Sequence, residues 1–129
     1  MMKYLLIVAL GVFLIGCEAP TPEQLRERNH LPKIGFVADT IQGRALFNSN
    51  CASCHGTAAN GTENGPPLID KTYNSLHHAD LAFHWAVRDG VRQHHWRFGD
   101  MPKVANLRPE DVGHIVAFVR KEQRLKGIK

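Results

Sequence analysis

Cys51-Ala52-Ser53-Cys54-His55 is the stretch that decides how this chain folds. The spacing C-x-x-C-H marks a covalent attachment site for c-type haem. Each thiol can add across one vinyl group of the ring, and the adjacent imidazole then falls beneath the iron as its proximal ligand. Thiols at i and i+3 share one helical turn and can face a flat ring together. A thioredoxin-like dithiol is the competing reading. That motif asks for a βαβ context and has no use for the histidine that follows the second cysteine.

Upstream of the motif, residues 1–16 read as an export signal. Met1-Met2-Lys3 is a short positive start, and Tyr4 to Ile15 is an almost unbroken apolar run. The run is shorter than the roughly 17–25 residues of a spanning helix. Leu14-Ile15-Gly16-Cys17 is similar to a bacterial lipobox, in which the cysteine is lipidated and becomes the new N-terminus. With two of the three cysteines assigned to haem, Cys17 is the odd thiol at this junction. Acyl chains contribute about 0.8 kcal/mol per buried CH₂, and two or more hold a protein stably on a bilayer. The alternative is an ordinary signal that carries a cysteine near its cleavage point. Residues 17–39 read as a lipid-anchored linker, beginning Glu18-Ala-Pro-Thr-Pro22, with Leu31 to Val37 a candidate for an arm packed on the domain. As a flexible coil it would span on the order of 25 Å.

Residues 40–129 form the expected globular domain. No segment alternates apolar and polar residues over strand length, so the fold class is all-α. Thr40 is the expected N-cap of a helix running from Ile41 to Asn50. Asp80 to Asp89 reads as another helix, closed by Gly90. Pro109 suits the first turn of a last helix, with Glu110 and Asp111 favourable at its positive end. Val112, Ile115, Val116 and Val119 make its apolar stripe. A domain this small buries a modest fraction of its surface, so a large apolar cofactor would supply much of its core.

Met101-Pro102 lies in the loop before the last helix. A thioether is a soft ligand for haem iron, and a His/Met pair raises the reduction potential. With these residues on the page, the chain resembles the class I cytochrome c family, in particular its small bacterial members, over about residues 40–126. The resemblance implies three or more helices wrapped around one covalent haem c. It matches Gly43 and Phe47 to the first helix, and Ile115 and Phe118 to their partner positions on the last helix. Small Gly43 then lets those helices cross closely. Cys51, Cys54 and His55 match the attachment motif. In Gly65-Pro66-Pro67-Leu68 the resemblance assigns to the Pro66 carbonyl the proximal imidazole N–H, which fixes its tautomer. Met101 matches the distal ligand, so His55 and Met101 are the expected metal ligands. One departure is the last helix, which often starts with Ser or Thr in the family. Leu107-Arg108-Pro109 offers no such oxygen.

Eight histidines include the pairs His77-His78 and His94-His95. They read as surface or loop residues, partly protonated below neutral pH. A ligand exchange of His94 or His95 with Met101, and a copper site near the haem, are the sharper alternatives. Trp85, on one helix face with Leu81, is expected in the core. Trp96 or Arg97 is the candidate donor to a haem propionate. His114 is expected to be structural.

The formal net charge is +4, including Lys3 of the signal. Basic residues gather at the end of the last helix, as a solvated helix end or a modest steering patch for an acidic redox partner. They are not interleaved with exposed aromatics, which excludes a nucleic-acid groove. The expectation is an exported, membrane-tethered one-electron carrier facing the periplasm or outer surface. Its partners would be redox proteins such as a dehydrogenase or oxidase, and with both axial positions filled it would have no enzyme activity. A peroxidase or gas sensor with Met101 off the iron, and a copper-handling protein using the His pairs, are the rivals.

Overall fold

The computed structural model describes residues 18–129. The signal at 1–16 and the lipidation candidate Cys17 lie outside them. Five α-helices follow in order: α1 Pro22–Arg28, α2 Thr40–Asn50, α3 Ala52–His55, α4 Asp80–Asp89 and α5 Pro109–Leu125. A 3-10 turn occupies Lys71–Tyr73. Among the described residues, β structure is limited to two isolated bridges, Thr62 with Gly65 and Val91 with Met101. The class is all-α.

The α2–α5 crossing is the frame. A Cβ built on Gly43 would fall 2.0 Å from the His114 carbonyl oxygen and 3.1 Å from Phe118 Cβ, so only glycine permits this approach. One turn further on, the Phe47 and Phe118 rings pack with centroids 5.2 Å apart, both essentially solvent-free. The expected stripe Val112, Ile115, Val116 and Val119 is buried throughout.

The helix starts refine the sequence reading. The N-cap of α2 is Asp39, one residue before Thr40. Its carboxylate accepts from the backbone N–H of Ile41 at 2.7 Å and of Gln42 at 3.2 Å. These bonds hold the Asp39 carboxyl below the usual range. At α5 the missing hydroxyl is replaced from inside the helix. Asp111 accepts from the Arg108 backbone N–H at 3.0 Å and from its guanidinium at 2.8 and 3.0 Å. α4 spans Asp80 to Asp89 as expected, closed by Gly90 at φ +79°.

Residues 18–39 are ordered on the domain, including the Leu31 to Val37 arm. Thr21 and Gln24 form a reciprocal capping box that starts α1. The segment then docks along α4 and α5. Pro32 is buried, and the Phe36 ring meets His114 edge-on at 4.8 Å. His114 Nδ1 accepts from the Asp39 backbone N–H at 2.8 Å, a structural role. Arg88 of α4 donates to the Arg28 carbonyl at 2.5 Å. Ile34 and Val37 of the arm remain exposed. Backbone carbonyls and a capping box do this work, and neither leaves an apolar period in the sequence.

Trp85 is only partly where the sequence puts it: it lines the cavity between the helices and the loops, yet it is 43% exposed and its indole N–H donates to Asn29 Oδ1 at 3.2 Å. His84 and Val87 are the buried residues of α4. The docked segment draws the indole to the surface because its N–H needs a partner.

Candidate haem site

Between the helical frame and the loops lies a cavity of about 410 Å³, open to solvent on one side. Phe47, Val112, Ile115 and Val119 of the frame wall it, and so do Phe83 and Val87 of α4. Cys51, His55, Pro66 and Met101 all line it. Four of the five residues assigned to the site from sequence therefore converge on one space. Cys54, on the same turn as Cys51, is exposed and is not among the wall residues.

The attachment stretch breaks off from α2 at Cys51, whose backbone N–H still bonds Phe47 O at 2.8 Å. Cys51 O then accepts from His55 N at 2.9 Å, so Cys51 through His55 make a single turn. His55 is buried, and its Nδ1 lies 2.9 Å from the Pro66 carbonyl. A carbonyl can only accept, so Nδ1 carries the proton and Nε2 keeps its lone pair for a metal. Burial holds the imidazole below its ordinary pKa, against the opposing effect of the Pro66 bond. The ring is thus neutral at physiological pH, the form a metal requires. Burial, aided by Cys54 nearby, pushes the Cys51 thiol up to about 11.

Met101 reaches the cavity from a closed loop. Its backbone exchanges hydrogen bonds with Val91 at 2.8 and 2.9 Å, clamping the base of residues 91–101. Gln93 N–H donates to Asp100 Oδ1 at 2.9 Å, and Gly99 N–H to Gln93 Oε1 at 3.1 Å. These inner bonds stiffen a loop that has no helix or strand of its own.

The residues fit a haem. The wall is predominantly apolar, an imidazole and a thioether both face the space, and two thiols share the turn beside it. The indole Nε1 of Trp96 is buried at the cavity wall without a well-aligned hydrogen bond, the Tyr73 hydroxyl being the neighbour within its reach. A carboxylate carried into the cavity would give that donor a stronger, charged acceptor. Arg97 does not line the cavity, so Trp96 is the better propionate donor of the two. Tyr73 and Phe83 also line it, and neither was assigned to the site from sequence. Phe83 and Val87 share one helical face, a legible signal, whereas Tyr73 is a lone aromatic in a turn.

A helical frame around an apolar cavity, with a C-x-x-C-H turn at its wall, defines a c-type haem protein. The family model described as Cytochrome c matches residues 41–123, well over half of the chain. The chain belongs to the cytochrome c family, whose haem c is covalently bound. It is 32% identical over 81 residues to the cbb3-type cytochrome c oxidase subunit CcoP of Rubrivivax gelatinosus, covering 60% of this chain and 24% of that protein. Over 85 residues it is 32% identical to the cbb3-type subunit FixP of Bradyrhizobium sp. (strain ORS 278), covering 61% of this chain and 29% of that one. The chain therefore spans about a quarter of the length of the curated relatives it matches. Among solved structures, cytochrome cL of the marine methylotroph Methylophaga aminisulfidivorans MPT superposes with a TM-score of 0.52 at 26% identity. That match covers 90% of this chain and 73% of the other.

Proposed function

We propose that this chain is a monohaem single-electron carrier in which His55 and Met101 are the two axial ligands and Cys51 and Cys54 the covalent anchors. Haem c bound here supplies a one-electron iron couple. His55 presents a neutral Nε2 whose direction the Pro66 carbonyl sets. Met101 offers a neutral sulfur, which favours the ferrous state and raises the potential. Trp96 would donate to a haem propionate. With His55 and Met101 both holding the iron from clamped segments, the ligand set would change little with oxidation state and would leave no place for a substrate. On this reading the protein carries electrons and does not catalyse a reaction.

The observation that supports this reading best is the convergence of His55, pinned by Pro66, and Met101, clamped by Val91, on one apolar cavity. The curated relatives are oxidase subunits by name, so a membrane oxidase or dehydrogenase is the proposed class of redox partner. Export and lipid anchoring through Cys17 rest on the Leu14-Ile15-Gly16-Cys17 stretch. Changing Cys17 to Ser should release the protein from membranes, and a variant still pelleting with them would end that part of the proposal. Among the described residues no helix is long and apolar enough to cross a membrane.

The optical spectrum of the oxidised protein tests the ligand pair. A weak near-infrared iron–sulfur band is expected. The Met101→Ala variant should lose that band and show a lower potential. If the unmodified protein binds carbon monoxide at neutral pH as readily as a globin does, Met101 is off the iron and the gas-sensor reading replaces this one.

A further inference from the structure

We propose a second metal site, distinct from the haem, in which His77, His78 and His95 bind one divalent transition cation, with Cu(II) the best fit. One ring nitrogen of each residue lies within 4.8 Å of the others. His77 Nε2 and His95 Nε2 are 3.2 Å apart. Imidazole nitrogens at roughly 2.0–2.1 Å from one ion sit about 2.9 Å apart when cis in the tetragonal plane of Cu(II), and about 3.3 Å apart around a tetrahedral ion. The first pair is thus already spaced as two ligands of one ion, and a small swing of the third ring completes the set.

The third ring is also prepared. His78 Nδ1 donates to the Thr72 carbonyl at 2.8 Å, which leaves Nε2 as the lone-pair nitrogen. A ligating histidine whose other N–H is held by a backbone carbonyl is the usual supporting arrangement in metal sites. His94 repeats it beside the cluster, with Nδ1 donating to the Arg92 carbonyl at 2.8 Å. Its ring centroid lies 4.3 Å from that of His95. His94 is a candidate fourth ligand.

Two separate scaffolds bring the three rings together. The turn before α4 is tied by Asn74, whose Oδ1 accepts from the backbone N–H of Leu76 at 2.9 Å and of His77 at 3.1 Å. Buried Arg120 of α5 donates to the Tyr73 carbonyl at 2.7 Å and also to the His78 carbonyl. His95 comes from the clamped 91–101 loop that ends in Met101. A backbone carbonyl fixed by a buried arginine is a rigid platform, as a metal site requires. The neighbouring carboxylate, Asp80, is engaged by Arg120 at 2.8 Å. The donor set is therefore all imidazole, which suits copper, zinc and nickel, and among these Cu(II) binds most tightly at a given site.

His78, His94 and His95 also line the haem cavity. An ion here would join the Met101 loop to the Arg120-held turn and add positive charge at the cavity wall. Added positive charge disfavours the more positive ferric state, so occupancy should raise the reduction potential. This sequel rests on the haem reading, whereas binding of the ion does not.

Calorimetric titration of the full-length haem-loaded protein, made without a polyhistidine tag, with Cu(II) tests the site. One equivalent should bind, with an electron-paramagnetic signal split by at least three imidazole nitrogens. The His77→Ala/His95→Ala double variant should bind at least 100-fold more weakly. Unchanged affinity in that variant, or a signal from fewer than three nitrogens in the parent, overturns the proposal. If the double variant melts below the parent without metal, His77→Gln alone carries the test, since this ring is exposed. A tenfold loss is expected there, and no loss overturns the site.

Discussion

The α2–α5 crossing and the loop wall opposite it are held by different physics. At the crossing, Gly43 lies against the His114 backbone and Phe47 packs on Phe118, both buried beyond the reach of water. Non-directional apolar burial suffices there. The loop wall, residues 71–79 and 90–104, has no regular element beyond one 3-10 turn. It is held by directional bonds to carbonyls: Arg120 to Tyr73 and His78, Gln123 to Leu68 at 2.8 Å and to Tyr73 at 2.9 Å. A frame built from burial can stand by itself, whereas a wall built from hydrogen bonds needs a filled space to lean on. The cofactor side of the molecule is therefore the side whose order depends on the cofactor.

Withholding the cofactor should separate the two regions most. An unfilled cavity costs about 24 cal/mol per Å³. For 410 Å³ the upper bound is on the order of 10 kcal/mol, comparable to the whole stability of a small domain. The Cys51→Ala/Cys54→Ala variant should lose amide protection throughout 71–79 and 90–104 while α2 and α5 keep residual helicity. Hydrogen exchange followed by mass spectrometry measures this, and equal loss in both regions would erase the distinction.

Two single substitutions sharpen it. Arg120→Met leaves the His78 carbonyl without its buried donor, at about 1–3 kcal/mol, while the Tyr73 carbonyl keeps its bond from Gln123. Exchange should speed up first in 71–79, ahead of the α2–α5 crossing. Gly43→Ala overpacks the crossing and should cost about 1–3 kcal/mol, a fall in Tm of roughly 10 °C, with loop and crossing losing protection together. Local opening in the second variant, or global opening in the first, contradicts the assignment of forces.

The smallest effect depends on pH. His84 is buried with Nδ1 unpartnered, and burial holds its pKa below the ordinary value. Between the folded value and about 6.5 the unfolded chain binds a proton that the folded chain refuses. Stability is therefore full above about pH 6.5 and declines as pH falls toward the folded pKa. His78 and His95 are lowered in the same direction. Urea midpoints at pH 7.5 and 5.5 should differ in the parent and differ less in His84→Gln. A parent midpoint that rises on acidification would have the wrong sign.

The two regions also differ in how far they could be read in advance. Helix α4 and the stripe of α5 were legible because burial imposes a 3.6-residue period, and the Gly43 crossing because the family resemblance implied it. Packing of the Leu31 to Val37 arm was readable as a possibility from its apolar residues, whereas helix α1 and its tie to α4 were not, since Thr21 and Arg28 act through a cap and a carbonyl oxygen that carry no period. Trp85 misled in part because an aromatic on an apolar helix face is compatible both with the core and with a bond to Asn29. The His77, His78 and His95 cluster was half visible as two pairs. Only the turn at Asn74 and the loop clamp at Val91 and Met101 bring residues from both pairs to one point.

By itself the sequence determined the chemistry of the centre, because C-x-x-C-H is local: two thiols and an imidazole on one turn require no knowledge of the rest of the chain. It determined the all-α class for the same reason, since helical periodicity is written over neighbouring residues. Tertiary structure alone decided the buried position of the Trp96 indole at the cavity wall, the course of the N-terminal segment and the meeting of three imidazoles. Each of these depends on a carbonyl, cavity or ring supplied from a distant part of the chain, and such distances are set by packing.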